Sequence, residues 1–384
     1  MAGNILLVLF YVFFPTVILY LCRKFPMVNK IGSVVIAYLI GLILGNTGIL
    51  PPGSESIQET LTSITIPLAI PLMLFSANIQ SWFKMAGTTL LSMVAALVAV
   101  ILVVFSGYLI FRSGGIENAW KISGMLVGVY TGGTPNLASL KMMLDVSPDI
   151  YILTHTYDMV LSSIYLLFLI TLGKPLFSKL LRAYPANPGS SRITMSELDG
   201  HDPYKGIFKK QTLKPLMKAL GLSLLIFAFS GGVSLLVPAE SQMVVAILLI
   251  TTLGIGTSLI PSVNRTEKTF ELGMYFILIF SLVVASMADI SQLSTAAAHL
   301  FAYITYVVFG TLLLHTLMAF LFKVDSDTMI VTSTALICSP PFVPVIASAI
   351  HNRQVIISGL TVGILGYAIG NYLGYIVAQF LRLF

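Results

Sequence analysis

Two proline-containing breaks interrupt long apolar stretches of this sequence. Their residues read Gly132-Gly133-Thr134-Pro135-Asn136 in the first break and Ser339-Pro340-Pro341 in the second. Proline removes a backbone N–H donor and disfavours helix in the residue before it, and glycine permits a positive φ. Each break is therefore expected to open a helix. Among apolar half-helices in a membrane, open backbone persists only where it is buried in protein or lines a polar cavity.

The backbone ends at such a break suit charged ligands. The N–H groups that begin the half-helix at Asn136 can bind a carboxylate, and the carbonyl groups that end the preceding half at Tyr130 and Thr131 can coordinate a cation. We therefore predict that a substrate binds at the two breaks. The predicted substrate-binding residues are Gly132, Gly133, Thr134, Pro135, Asn136, Ser339, Pro340 and Pro341. The alternative is that the breaks only allow close packing of helices.

A carboxylate, Asp158, lies about a third of the way into the apolar stretch that follows the first break, with His155 three residues earlier. An ionisable group at that depth in a membrane is costly and needs a partner or a path to water. We predict that Asp158 binds the coupling ion, either Na⁺ held by the carboxylate or a proton. Asn371, in the last apolar stretch, is the second candidate for this site. The alternative is that each polar group only holds helices together.

The composition identifies the kind of element that must position these residues. Of the 384 residues, 57% are hydrophobic and 9% are charged, whereas soluble proteins carry about a quarter charged residues. Continuous apolar runs of about 20 residues predict an all-α protein with many membrane-spanning helices. The net charge of +6 comes from basic residues in short connections, where membrane orientation explains it, so we expect no nucleic-acid partner. Cys22 and Cys338 predict neither a disulfide framework nor a thiolate metal site.

Twelve apolar stretches are predicted, six on each side of a polar region at residues 174–212. They cover residues 4–22, 31–50, 60–80, 86–111, 118–144, 150–173, 213–237, 242–260, 270–289, 296–322, 328–350 and 355–381. Short matches in the same order relate the two halves, for example Ala77-Asn78-Ile79 with Ala288-Asp289-Ile290. We therefore predict a first transmembrane repeat (1–173), a cytoplasmic linker (174–212) and a second repeat (213–384).

The basic residues indicate how the broken stretches lie. If residues 118–144 and 328–350 form re-entrant hairpins and the other ten stretches cross, all but four of the 21 Lys and Arg residues fall on the cytoplasmic side. This arrangement satisfies the positive-inside rule, and its five crossings per half invert the second repeat relative to the first. If all twelve stretches cross, the rule is violated. Crossing broken helices stay the alternative, because one miscounted span elsewhere would restore them.

The two breaks, Asp158 and the closing run from Gly363 to Gly374 (GILGYAIGNYLG) together resemble the multi-pass membrane family catalogued as domain of unknown function 819. The resemblance covers essentially the whole chain. In architecture it is similar, more distantly, to glutamate:sodium and citrate:sodium symporters. This resemblance implies a homodimer in which a hairpin-bearing domain moves in an elevator motion. The sequence has Ser339-Pro340-Pro341 where the family pattern has Gly-Gly-Pro, and Met159 where the family tends to have asparagine.

These observations predict a secondary active transporter in the bilayer of a bacterial inner (cell) membrane. Its substrate would be a small organic anion or amino acid, carrying a carboxylate, and Na⁺ or H⁺ would drive transport without any other cofactor. A passive channel or a non-transporting membrane sensor is the alternative. The sequence has no phosphate-binding G-x-x-x-x-G-K-[ST] loop, no H-E-x-x-H and no G-x-S-x-G, so we expect no enzymatic activity.

Overall fold

The structure, a computed structural model, describes most of the chain. The described residues are 2–25, 33–76, 87–112, 118–185, 204, 206–207, 209–287, 296–352 and 354–384. Asn78 and Asp289, the middle of the predicted linker (186–203) and five basic residues counted on the cytoplasmic side (Lys30, Lys84, Arg192, Lys205 and Arg353) lie outside them. Within the described ranges the chain is helical and contains no β-strand, apart from an isolated bridge between Arg182 and Asp325. The all-α prediction is confirmed.

The helices are numbered along the chain. They are α1 (Ala2–Lys24), α2 (Ser33–Asn46), α3 (Ser54–Phe75), α4 (Gly87–Phe111), α5 (Ala119–Gly132), α6 (Thr134–Met143), α7 (Pro148–Phe168), α8 (Lys174–Phe177), α9 (Lys210–Ser234), α10 (Ala239–Ser258), α11 (Pro261–Asn264), α12 (Thr269–Ser286), α13 (Ala296–Leu321), α14 (Ser326–Ile337), α15 (Val343–Ala349) and α16 (Val355–Leu381). A π-helical turn (Leu169–Gly173) joins α7 to α8, and a 3₁₀ turn (Pro340–Phe342) precedes α15.

Nine helical segments in the described part of the chain are long and apolar enough to cross a membrane, and a tenth, Ile36–Asn46, is shorter. The chain is therefore an integral, multi-pass membrane protein. The side-chain distribution of α4 agrees with this conclusion. Its buried face carries small residues such as Ser92, Ala96 and Ala99, whereas large apolar residues such as Leu102 and Ile110 are exposed. Membrane helices pack through small side chains in this way, and lipid covers the large ones.

The chain divides into two compact units. Unit 1 comprises Met1–Ser76, Lys141–Thr156 and Asp202–Ala297. Unit 2 comprises Ala77–Leu140, Tyr157–His201 and Ala298–Phe384. Each unit combines segments from both sides of the polar region at 174–212. The units describe which segments pack together, whereas the predicted repeats are two continuous parts of the sequence. The inverted relation of the two halves stays a prediction.

In unit 1, α12 packs against α2 and α3. The contact with α2 is close because Gly41 and Gly45 face the backbone of α12 near Ser286, where a Cβ would overlap it. A cluster of three buried polar side chains links α1, α3 and α12 in this unit. Ser286 Oγ lies 2.6 Å from the Tyr11 hydroxyl and accepts a 2.8 Å hydrogen bond from Gln58 Nε2. These side chains satisfy one another, as buried polar groups must in an apolar core.

Candidate functional site

The first break forms the tip of a helical hairpin in unit 2. Gly133, directly after α5, has φ 87°, a positive value that favours glycine. The Leu140 side chain occupies the space that a side chain at Gly128 would need. In one straight helix, residues twelve positions apart would be separated by about 18 Å along the axis. The chain therefore folds back at Gly133, so that α6 packs along α5.

The second break also forms a hairpin, from α14 and α15. At the base of this hairpin, Asn352 Nδ2 donates a 2.9 Å hydrogen bond to Asp327 Oδ2. The Lys174 ammonium pairs with the other carboxylate oxygen of Asp327. Because Asp327 lies in the first turn of α14 and Asn352 follows α15, both ends of the segment lie together. The chain reverses at Ser339, which has φ 85°. In the structure, the chain therefore forms a helical hairpin at each of the two breaks.

The tips of the two hairpins meet in unit 2. A Cβ added to Gly133 would overlap the Ser339 hydroxyl and would lie 3.3 Å from Ser339 Cβ. Ser339 is also hydrogen-bonded to the Tyr367 side chain of α16. Pro135 and Pro340 are buried next to the turning residues, and the backbone of Pro341 lies in the 3₁₀ turn. The eight predicted substrate-binding residues are therefore brought to one place, while binding itself stays a prediction.

Glycines of α16 allow both hairpins to approach that helix. Gly363 faces Pro340 of the second tip, and a side chain at Gly366 or Gly370 would overlap Thr131 or Asn136 of the first hairpin. Larger residues at these positions would push the tips away from α16. The closing glycine-rich run of the sequence therefore positions the two breaks.

Part of the first tip is occupied by packing. Asn136 is buried, and its Nδ2 donates a 3.1 Å hydrogen bond to the carbonyl oxygen of Gly366. The backbone N–H groups of Asn136 and Leu137 donate to Gly133 O at 3.1 and 3.2 Å. These N–H groups, expected to bind a carboxylate, are thus used within the turn itself. Other polar side chains near the tips include the hydroxyl groups of Thr134, Ser339 and Tyr367.

Asp158 lies beside both hairpins. It is buried in α7, and its Oδ1 accepts a 3.1 Å hydrogen bond from Ser162 Oγ, one helical turn later. Tyr130 of α5 and Cys338, at the end of α14, are the electrostatic neighbours of the Asp158 carboxyl group. The Cys338 thiol lies 3.7 Å from the carbonyl oxygen of Ser162, to which it donates. Uncharged groups from both hairpins and from α7 therefore surround Asp158.

No Lys or Arg within the described ranges lies at ion-pairing distance from Asp158. A buried carboxylate without a counter-ion is strongly disfavoured in an apolar environment. Such a site has two ways to become neutral: it can bind a proton, or it can bind a cation together with nearby oxygen atoms. Both are the chemistry of a coupling ion, which is why this position stands out among the buried polar groups.

Two further residues singled out from the sequence, Asn371 and His155, are also buried. Asn371 is buried in α16, within unit 2. His155 belongs to unit 1, where its ring stacks on Tyr151 at a centroid distance of 6.1 Å and meets the edge of Tyr38 at 4.9 Å. Sequence reasoning did not select Ser162 or Tyr367. Ser162 could have been found from its i+4 spacing to Asp158, whereas nothing local marks Tyr367.

The sequence profile described as "Protein of unknown function (DUF819)" matches residues 10–384. Among curated proteins, the uncharacterized membrane protein YjcL of Bacillus subtilis (strain 168) is 25% identical over 372 residues, which cover 92% of this chain and 90% of that protein. The profile match includes both hairpins, Asp158 and α16. The two matches confirm the family resemblance that these same residues indicate.

Proposed function

We propose that this chain, which belongs to the DUF819 family, is a secondary active transporter of a small organic anion or amino acid. A gradient of Na⁺ or H⁺ would drive it. One observation carries the proposal: the tips of two helical hairpins meet in one compact unit, beside a buried carboxylate that has no basic partner among the described residues. The proposal involves no covalent chemistry and no cofactor other than the coupling ion.

Broken helices and intramembrane carboxylates are characteristic of ion-coupled transport. Discontinuous helices form substrate and ion sites in many secondary transporters, because their open backbone can line a binding cavity near the middle of the membrane. In this proposal the substrate contacts the hydroxyl groups at the tips, on Thr134, Ser339 and Tyr367. Asp158 binds the coupling ion, and Asn371 is a weaker candidate for the same role.

Electrostatics gives a reason for coupling between the substrate and the ion. A substrate carboxylate bound at the tips would be repelled by an ionised Asp158. At a separation of about 5 Å and an effective dielectric constant of about 20, two like charges repel by about 3 kcal/mol. Neutralisation of Asp158 by Na⁺ or H⁺ would remove this repulsion and raise substrate affinity by roughly two orders of magnitude. The ion and the substrate would then bind together, as symport requires.

The grouping of these residues supports an elevator-type mechanism. All of the tip residues, together with Asp158 and Asn371, belong to unit 2, so one compact unit can hold substrate and ion as a single body. We propose that this unit carries them across the membrane of a bacterial cell. A homodimer, which the architecture of the similar symporters implies, is part of the same proposal.

Ligand binding provides the first test. Carboxylates and amino acids are screened against the detergent-solubilised protein in a thermal-shift assay, with Na⁺ present or absent and at two values of pH. A ligand of the native state raises Tm by mass action. We expect one class of carboxylate to raise Tm, and to do so only when the coupling ion is present.

The variant Asp158→Asn tests the assigned residue. It should bind the same ligand without dependence on the coupling ion, because its side chain is already neutral. Asp145→Asn is the matched control, since it removes one negative charge at an exposed position with φ 49°, a conformation that asparagine tolerates. If ion dependence persists in Asp158→Asn, Asp158 has no part in coupling.

A further inference from the structure

A groove of 370 Å³ lies between α9 and α11 in unit 1. Lys214 and Lys218 of α9 form one wall, and the opposite wall includes Ser262 and Thr266. Leu222 and Val263 line its apolar part. The groove therefore has a positively charged side, a hydroxyl-bearing side and an apolar surface next to both.

In the described part of the chain, the basic side of the groove has no ion-paired acidic partner. Lys209 precedes α9, Lys210, Lys214 and Lys218 lie in its first turns, and Arg265 follows α11. None of these five cations forms an ion pair within the part of the chain that the structure describes. Lys210, Lys214 and Lys218 repeat every four residues, which places them on one face of the helix. Among the described residues, no acidic side chain compensates the positive charge of this groove.

We propose that this groove binds the headgroup of an acidic phospholipid. The phosphodiester, with one negative charge, would lie between the ammonium groups of Lys214 and Lys218 and accept a hydrogen bond from the Ser262 hydroxyl. The Thr266 hydroxyl donates to Ser262 O at 3.0 Å and shapes the opposite wall. Basic pockets beside membrane helices on the cytoplasmic side attract anionic headgroups in this way.

The surface next to the groove suits the acyl chains of such a lipid. Beyond Leu222, α9 exposes apolar side chains in the direction away from its basic end, among them Leu225 (68% exposed) and Phe229 (59% exposed). A headgroup at Lys214 and Lys218 would therefore continue into hydrocarbon along the same helix. Free phosphate would use only the basic end, which is why we assign the groove to a lipid.

Lipid binding to the full-length protein in detergent micelles tests this inference. Native mass spectrometry measures how much dioleoylphosphatidylglycerol or dioleoylphosphatidylcholine stays bound at each lipid concentration. Each lysine near an anionic surface contributes about a fivefold change in affinity. We therefore expect Lys214→Gln with Lys218→Gln to bind phosphatidylglycerol about 25-fold more weakly than the unchanged protein, and phosphatidylcholine equally.

Two further variants make the result specific. Lys179→Gln with Lys323→Gln removes the same charge from exposed positions outside the groove, and it should bind phosphatidylglycerol as the unchanged protein does. Lys214→Arg with Lys218→Arg keeps the charge and should keep most of the binding. The inference is overturned if both glutamine pairs weaken binding equally, if neither does, or if inorganic phosphate competes with the lipid at equal concentration.

Discussion

The close contact between α16 and the first hairpin predicts a large effect of one methyl group at Gly366. A Cβ there would overlap the carbonyl oxygen of Thr131 and would lie 3.1 Å from Leu336 Cδ2. Because the overlapped atom belongs to the backbone, a side-chain rotation cannot relieve the clash. Overpacking of this kind costs about 3 kcal/mol. Displacement of α16 would also weaken the hydrogen bond from Asn136 to Gly366 O, worth about 1 kcal/mol.

These contributions give the size of the effect of Gly366→Ala. Alanine favours the helix by about 1 kcal/mol relative to glycine, which offsets part of this loss. The variant should therefore lose about 3 kcal/mol of unfolding free energy. For a domain of 150–250 residues this lowers Tm by roughly 6 to 12 °C. Cys22 and Cys338 are buried thiols, so a thiol-reactive fluorescent dye reports unfolding of the solubilised protein as temperature rises.

A glycine with open space around it provides the matched control. Gly221 lies inside α9, and nothing lies within 4 Å of the position that its Cβ would take. Gly221→Ala makes the same chemical change and should leave Tm unchanged or slightly raised. If Gly366→Ala has the same Tm as Gly221→Ala, α16 can move without loss of stability. In that case α16 does not hold the first tip in place.

Two further predictions concern the hairpins. Asp327→Ala removes the hydrogen bond to Asn352 that closes the base of the second hairpin. The dye should therefore label Cys338 several-fold faster at temperatures below Tm. An unchanged labelling rate would show that this base does not hold the hairpin closed. Gly133→Ala should lower Tm because φ is 87° there, a value that strains any residue other than glycine. Ser339→Gly relieves the backbone strain at a φ of 85° and should lower Tm far less. If Ser339→Gly had the lower Tm of the two variants, the tip geometry would be contradicted.

Local patterns were sufficient to predict the breaks but not their partners. Glycine and proline determine where a helix opens, and the distribution of basic residues favoured hairpins, which the contacts of Gly128 and Asn352 now show. The meeting of Gly133 with Ser339 joins residues far apart in sequence. A single sequence carries no local signal for such a contact, because it depends on how several helices pack.

The role of Asn136 illustrates the same limit. Its position at a break suggested a ligand, yet its amide binds the carbonyl oxygen of Gly366, 230 residues away. The packing interpretation therefore applies to Asn136, while substrate binding at the tip stays a prediction. Asp158 was selected from the sequence because a carboxylate within a long apolar stretch is costly to bury. That pattern can be seen without a structure. Its neighbours Tyr130 and Cys338 could be identified only after the fold had brought two hairpins to α7.

Gradient-driven uptake into proteoliposomes tests the central claim most directly. The ligand found by thermal shift is supplied outside, and its internal concentration is followed with and without a gradient of the coupling ion. The account predicts accumulation above the external concentration only when the gradient is present, loss of that dependence in Asp158→Asn, and its retention in Asp145→Asn. Uptake by Asp158→Asn with unchanged gradient dependence, or simple equilibration through the unchanged protein, would contradict it.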